Sequence, residues 1–102
     1  MLNLTKEVKN FKKQVYGTAS AKELADDHGI RIRRSKDGEN ALEFATSYFY
    51  TSQATTKELV QEFVDWLVEP VTPVFLGDVI YRGKSWPKTS WATVSVSFEA
   101  KE

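Results

Sequence analysis

The chain has 102 residues, which is enough for one domain with a buried core. Its composition, 41% hydrophobic and 27% charged, is typical of a folded soluble protein and not of a disordered tail. Cysteine is absent, which excludes disulfides, thiolate metal sites and cysteine nucleophiles. The first residues lack the apolar core of a signal peptide and no apolar run is long enough to span a bilayer, so we expect a cytoplasmic protein with no membrane partner.

The formal charge is zero only because two unlike parts of the chain offset each other. Residues 1–36 hold nine basic and four acidic side chains, a net charge of +5. The rest of the chain holds five basic and ten acidic side chains, a net charge of −5. A chain divided in this way is suited to binding nucleic acid, an acidic partner, or its own copies head to tail.

The N-terminal third predicts two helices and a strand. Apolar residues recur at helical spacing from Leu4 to Val15, and Gly17 supplies a stop. Ser20 and Glu23 form a capping box that begins a shorter helix, which ends at Gly29. Residues 30–34 then alternate apolar and basic, as in a half-buried strand. Strand periodicity at this point excludes the recognition helix of a helix-turn-helix protein.

The remaining segments predict a hairpin, a helix and two more strands. An Asp37-Gly38 turn, with positions that tolerate positive φ, leads into a long strand over 41–51. A capping box at Thr55 and Glu58 begins a helix that runs to about Glu69. Strands follow over 74–82, apolar on both faces, and over 91–100, which alternates cleanly. The order α-α-β-β-α-β-β predicts one α+β domain over residues 1–102, with a four-stranded, mainly antiparallel sheet and helices on one face.

The sequence offers no catalytic constellation. The single histidine, His28, follows Asp26 and Asp27, which could ligate a metal or support a general base. A histidine in the last turn of a short helix also has a purely structural role, since its charge suits the helix dipole. No further ligands stand out, so we predict no catalytic residue, no metal and no cofactor, and a protein that is not an enzyme.

The candidate interface lies near the C-terminus. Trp86 lies within, and Trp91 just after, a polar loop that contains Lys84 and Lys88. Tryptophan at a loop edge is a frequent anchor for a protein partner or for self-association. The alternative is that Trp86 folds back over the sheet edge as a lid on the core.

Nucleic-acid binding is the competing interpretation. Arg31, Arg33, Arg34 and Lys36 lie beside aromatic residues 48–50 of the next predicted strand. Cations and aromatics on an exposed sheet face can stack single-stranded bases, although the same aromatics also serve to pack a helix.

The last three-fifths of the chain resembles the tail-terminator and tail-completion proteins of bacteriophages. The similarity lies in the order of four segments: ALEFATSYFYT, TTKELVQEFVDWLVEP, VFLGDVIYRG and WATVSVSFEA. This resemblance implies a non-enzymatic subunit that forms a ring and is assembled into a virion. A small phage or mobile-element inhibitor or adaptor that docks on a host protein is the alternative.

Overall fold

The computed structural model describes residues 3–38, 40–47, 53–83 and 90–100. In chain order the elements are α1 (Leu4–Tyr16), α2 (Ala21–Glu23) continued by a π-helical turn (Leu24–His28), β1 (Ile30–Arg34), β2 (Ala41–Ser47), α3 (Gln53–Trp66), β3 (Val71–Phe75), β4 (Ile80–Gly83) and β5 (Ser90–Ala100). The predicted α+β class and antiparallel sheet are confirmed. Residues 48–52, the end of the predicted second strand, lie outside the described part of the chain.

The sheet has the order β1-β2-β5-β3, and every pairing is antiparallel. The eleven-residue β5 is long enough to pair with β3 at one end and with β4 at the other, so these two strands form a single interrupted edge. The continuous strand predicted over 74–82 is therefore wrong. Residues 76–79 lie opposite only Val94 and Ser95 of β5, and this surplus of chain bulges out between β3 and β4.

Both long helices pack on one face of the sheet. The alternation predicted for β5 is confirmed on this face, where Val94, Val96 and Phe98 are buried. Phe63 of α3 packs against Phe98 with 5.5 Å between ring centroids, and Phe11 of α1 packs against Phe63 at 5.2 Å. Aromatic rings within a largely aliphatic core thus join both helices to the central strands.

The capping box predicted at Thr55 is wrong, because α3 begins two residues earlier, at Gln53. Thr56, the residue after Thr55, is fully buried, and its hydroxyl hydrogen-bonds to the sheet. Its hydroxyl donates to the Ala92 carbonyl at 3.1 Å and lies 2.6 Å from the hydroxyl of Thr46. Since the single proton of Thr56 goes to the carbonyl, Thr46 is the donor between the two hydroxyls. This chain of bonds links α3 to both β2 and β5.

The helix stops and the first hairpin follow the local sequence. Gly17 and Gly29 adopt left-handed φ values of 82° and 65°, which end α1 and the π-helical turn. The Ser20 cap is confirmed, since its hydroxyl accepts from the Glu23 backbone N–H at 3.3 Å. Gly38 has no positive φ, contrary to the turn prediction; the turn instead uses the Ser35 hydroxyl, which accepts from the Asp37 N–H.

We expect Thr56→Val to lower the free energy of unfolding by about 1–3 kcal/mol. Valine keeps the shape of the side chain but removes the bond to Ala92 and the acceptor for Thr46. Urea unfolding measures the loss. Thr72→Val, at an exposed position of β3, is the control and should change stability by no more than about 0.5 kcal/mol. Equal losses in the two variants would contradict the role given to Thr56.

Candidate binding surfaces

A groove of about 260 Å³ lies between α1 and the β1 side of the sheet. Thr5, Val8, Lys9 and Lys12 of α1 line one wall, because their spacing places them on one helical face. The floor is apolar and includes Ile32 and Leu42, while Arg33 and Arg34 stand at the β1 side. The groove therefore combines an apolar floor with cations from two elements.

A second groove, of about 240 Å³, adjoins the first along β1. It is lined by Lys12, Ala21, Leu24, Ile30, Arg31, Ile32 and Arg33. Because Lys12, Ile32 and Arg33 line both grooves, the two are neighbouring parts of one surface. We call the two grooves together the basic trough; its cations are Lys9, Lys12 and Arg34 on the helix-packed side, and Arg31 and Arg33, whose side chains alternate to the opposite face of β1.

Arg33 repels two other cations of the trough, Lys12 and Arg31. The pKa of Lys12 is lowered by burial and further by the charge of Arg33. The pKa of Arg31 is lowered for the same two reasons. Within the described residues, the one ion pair of a trough cation joins Arg33 Nε to Glu43 Oε1 at 3.8 Å. An incoming anion would relieve this repulsion.

The residues of β1 that line the trough include two, Ile32 and Arg34, whose backbone groups are directed away from β2. Among the described strands, β1 pairs only with β2 and so forms an edge of the sheet. Two bonds fix the phase of the antiparallel ladder, that is, which residues of β1 hydrogen-bond to β2. Ser35 N–H donates to the Ala41 carbonyl, and Ser47 N–H donates to the Gly29 carbonyl. With this phase, the N–H and C=O groups of Ile30, Ile32 and Arg34 point away from β2.

The opposite edge of the sheet, formed by β3 and β4, is apolar. Its exposed side chains, between 37% and 50% accessible, are Val74, Phe75, Leu76, Ile80 and Tyr81. Leu76 N–H bonds to the Ser95 carbonyl, so the same ladder rule directs the backbone of Pro73 and Phe75 outward. Proline has no N–H, and Pro73 therefore removes a donor from this edge.

The residues predicted from the sequence lie at different places. Trp91 is only 9% exposed, and the Arg31 guanidinium lies 4.0 Å from the centre of its ring, on the sheet face opposite the helices. Lys36 lies exposed in the hairpin turn. Lys84, Trp86 and Lys88, like the aromatic residues 48–50, lie outside the described residues.

The histidine lies away from the trough cations on the surface of the π-helical turn. His28 is exposed, and its ring lies 5.1 Å from that of Tyr16. Across the described ranges, no cluster of three or more histidine, aspartate or glutamate side chains could hold a metal ion. The segment after Gly29 is the extended strand β1, which confirms that the helix-turn-helix arrangement is absent here.

Sequence reasoning identified Arg31, Arg33 and Arg34 but missed the two lysines of α1. In the sequence, Lys9 and Lys12 fall beside the apolar stripe of α1, a position that is ordinary for solvent-exposed lysines. The one available signal was the spacing of Thr5, Val8, Lys9 and Lys12, which puts cations beside apolar residues on one face.

None of the helices in the described ranges is long and apolar enough to cross a membrane. Comparison of the chain with protein-family models, with curated proteins and with solved structures found no match.

We expect Lys12→Met to raise the free energy of unfolding by about 0.5 kcal/mol at neutral pH and low salt, because it removes a like charge. The lowered pKa means that folding disfavours the charged form of Lys12. The protonated amine therefore lowers the free energy of unfolding. The gain should therefore shrink as the pH rises towards 10.5, the ordinary value for lysine.

Urea unfolding at several pH values measures this difference. Lys13→Met is the matched control, since Lys13 is an exposed neighbour on α1 that does not line the trough. A stabilisation of the same size and pH dependence in both variants would contradict repulsion within the trough.

Proposed function

We propose that the chain is a non-catalytic subunit that binds protein and assembles with its own copies through the β3–β4 edge. The observation that carries this proposal is the cluster of exposed apolar side chains on that edge. Contiguous exposed apolar surface commonly marks an interaction site.

The two faces of this edge support the same conclusion. Val74 and Ile80 lie on the sheet face opposite the helices, whereas Phe75 and Tyr81 lie on the helix-packed face, as their registers with β5 require. A strand that is apolar on both faces resembles an interior strand, which is normally covered on both sides. Because Pro73 lacks an outward donor, association here would use side chains more than backbone pairing.

The distribution of charge favours a head-to-tail arrangement. The basic trough lies at the β1 edge, while Asp78 lies in the bulge of the opposite edge and Glu69 directly precedes β3. Contact between unlike edges of successive copies is heterologous, and it yields a closed ring when the rotation between copies closes. The resemblance to phage tail-terminator proteins supports the same proposal.

An inhibitor or adaptor that uses this edge to bind a different protein is the second form of the proposal. The absence of catalysis rests on the sequence, which holds no cysteine and one histidine.

We expect the mass of the protein, measured by light scattering, to rise with concentration and to fall back as salt screens the charged edges. Leu76→Lys, at a side chain that is 44% exposed, should keep the protein monomeric, since it places a cation on the surface that would meet the basic edge. Val15→Lys on α1, at 40% exposure, is the matched control and should assemble like the parent chain.

A parent chain that stays monomeric at every protein and salt concentration would exclude the ring. If assembly persists in Leu76→Lys, the interface lies elsewhere. Circular dichroism and thermal unfolding establish that each variant is folded.

A further inference from the structure

We propose that the basic trough binds an extended acidic peptide of another protein, which adds to the outer edge of β1 as a further strand between β1 and α1. This goes beyond assembly of the chain with itself, since it gives the basic edge a different partner, which would compete there with the next copy of a ring.

The first argument is the direction of the backbone. Ile32 lines both grooves, and its N–H and C=O groups point away from β2, as do those of Ile30 and Arg34. β1 contains no proline, in contrast to β3, so its outward donors are complete. An extended peptide supplies the matching carbonyl and N–H groups, which is the basis of recognition by strand addition.

The second argument is charge complementarity. On the helix-packed side of the sheet, Lys9 and Lys12 approach from α1 and Arg34 from β1, so that cations flank the path of the peptide on two sides. The repulsion of Lys12 and Arg31 by Arg33 disfavours the empty trough and would be relieved by carboxylates. The partner is therefore acidic.

The third argument is the apolar floor. Successive side chains of a strand point to opposite sides, so a peptide in the trough presents alternate residues to the floor and to the cations. The buried side chains of Val8, Ile32 and Leu42 form part of this floor. A peptide that alternates acidic and aliphatic residues fits both surfaces.

A peptide fits the trough better than single-stranded nucleic acid does. Nucleic-acid grooves of this size combine cations with aromatic rings on which the bases stack. No aromatic side chain is among the described residues that line either groove. Trp91, the nearest aromatic partner of a trough cation, already has the Arg31 guanidinium over its ring.

The test is fluorescence anisotropy at about 50 mM salt, where exposed charges are weakly screened. The probe is a fluorescein-labelled peptide of alternating Glu and Val, about eight residues long, enough to span β1 at about 3.3 Å per residue. We expect saturable binding. Exchange of every Glu for Lys should abolish it.

Two N-methylated probes report on strand pairing. One carries N-methyl groups on alternate valines and the other on alternate glutamates; both keep the charge of the parent peptide. Only every second residue of an added strand directs its N–H towards β1, so one probe should lose binding and the other should retain it. Equal binding of both probes would overturn strand addition and leave only a general attraction between opposite charges.

Protein variants locate the site. Lys9→Gln combined with Arg34→Gln, two exposed positions, should weaken binding about tenfold, as the loss of two charge contacts implies. Lys13→Gln, an exposed α1 residue outside the trough, should bind like the parent chain. An unchanged affinity in the double variant would overturn the assignment to the trough.

A labelled oligothymidine of about ten nucleotides separates the two classes of partner. Tight, salt-sensitive binding of the oligonucleotide without binding of the peptide would overturn the proposal in favour of nucleic acid. The peptide assay is repeated on Leu76→Lys, so that a failure to self-assemble and a failure of the trough to bind peptide are distinguished.

Discussion

The register of β5 is the constraint on which the rest of the structure depends. This strand pairs with β2 along one side and with both β3 and β4 along the other. Its inward side chains meet Phe63 of α3, and its Ala92 carbonyl accepts the Thr56 hydroxyl. A slip of one residue would turn every apolar side chain of β5 to the wrong face and break the bond that links α3 to the sheet.

The sequence predicted those elements whose pattern is complete within a few residues. Apolar and polar residues alternate along β5 and β1, and the Ser20 cap is a bond to a nearby residue. None of these three features requires knowledge of the fold. The break between β3 and β4 escaped prediction because the bulged residues begin and end with apolar Leu76 and Val79, and only pairing with β5 shows that the segment is surplus. The start of α3 was misplaced because buried Thr56 bonds across to the sheet, a tertiary role that a capping pattern does not reveal.

The candidate site depended even more on tertiary structure. Arg33 and Arg34 stand out in the sequence, but Lys9 and Lys12 join them only because α1 packs beside β1. The outward direction of the Ile32 backbone follows from the phase of the β1–β2 ladder, which no side-chain pattern encodes. Strand pairing explains why Arg31 can reach Trp91: its opposite neighbour on β2 is Ala45, whose small side chain leaves a path across the strand.

Pro73 makes the two edges of the sheet unequal as sites for pairing with the sheet of another molecule. Open-ended growth of a fibril requires each molecule to have two sheet edges that can hydrogen-bond, one to the preceding copy and one to the next. With a proline on β3 and a bulge between β3 and β4, β1 is the uninterrupted edge of the described sheet. Main-chain pairing of two molecules through β1 would use that edge in both, so Pro73 favours a dimer over open-ended growth.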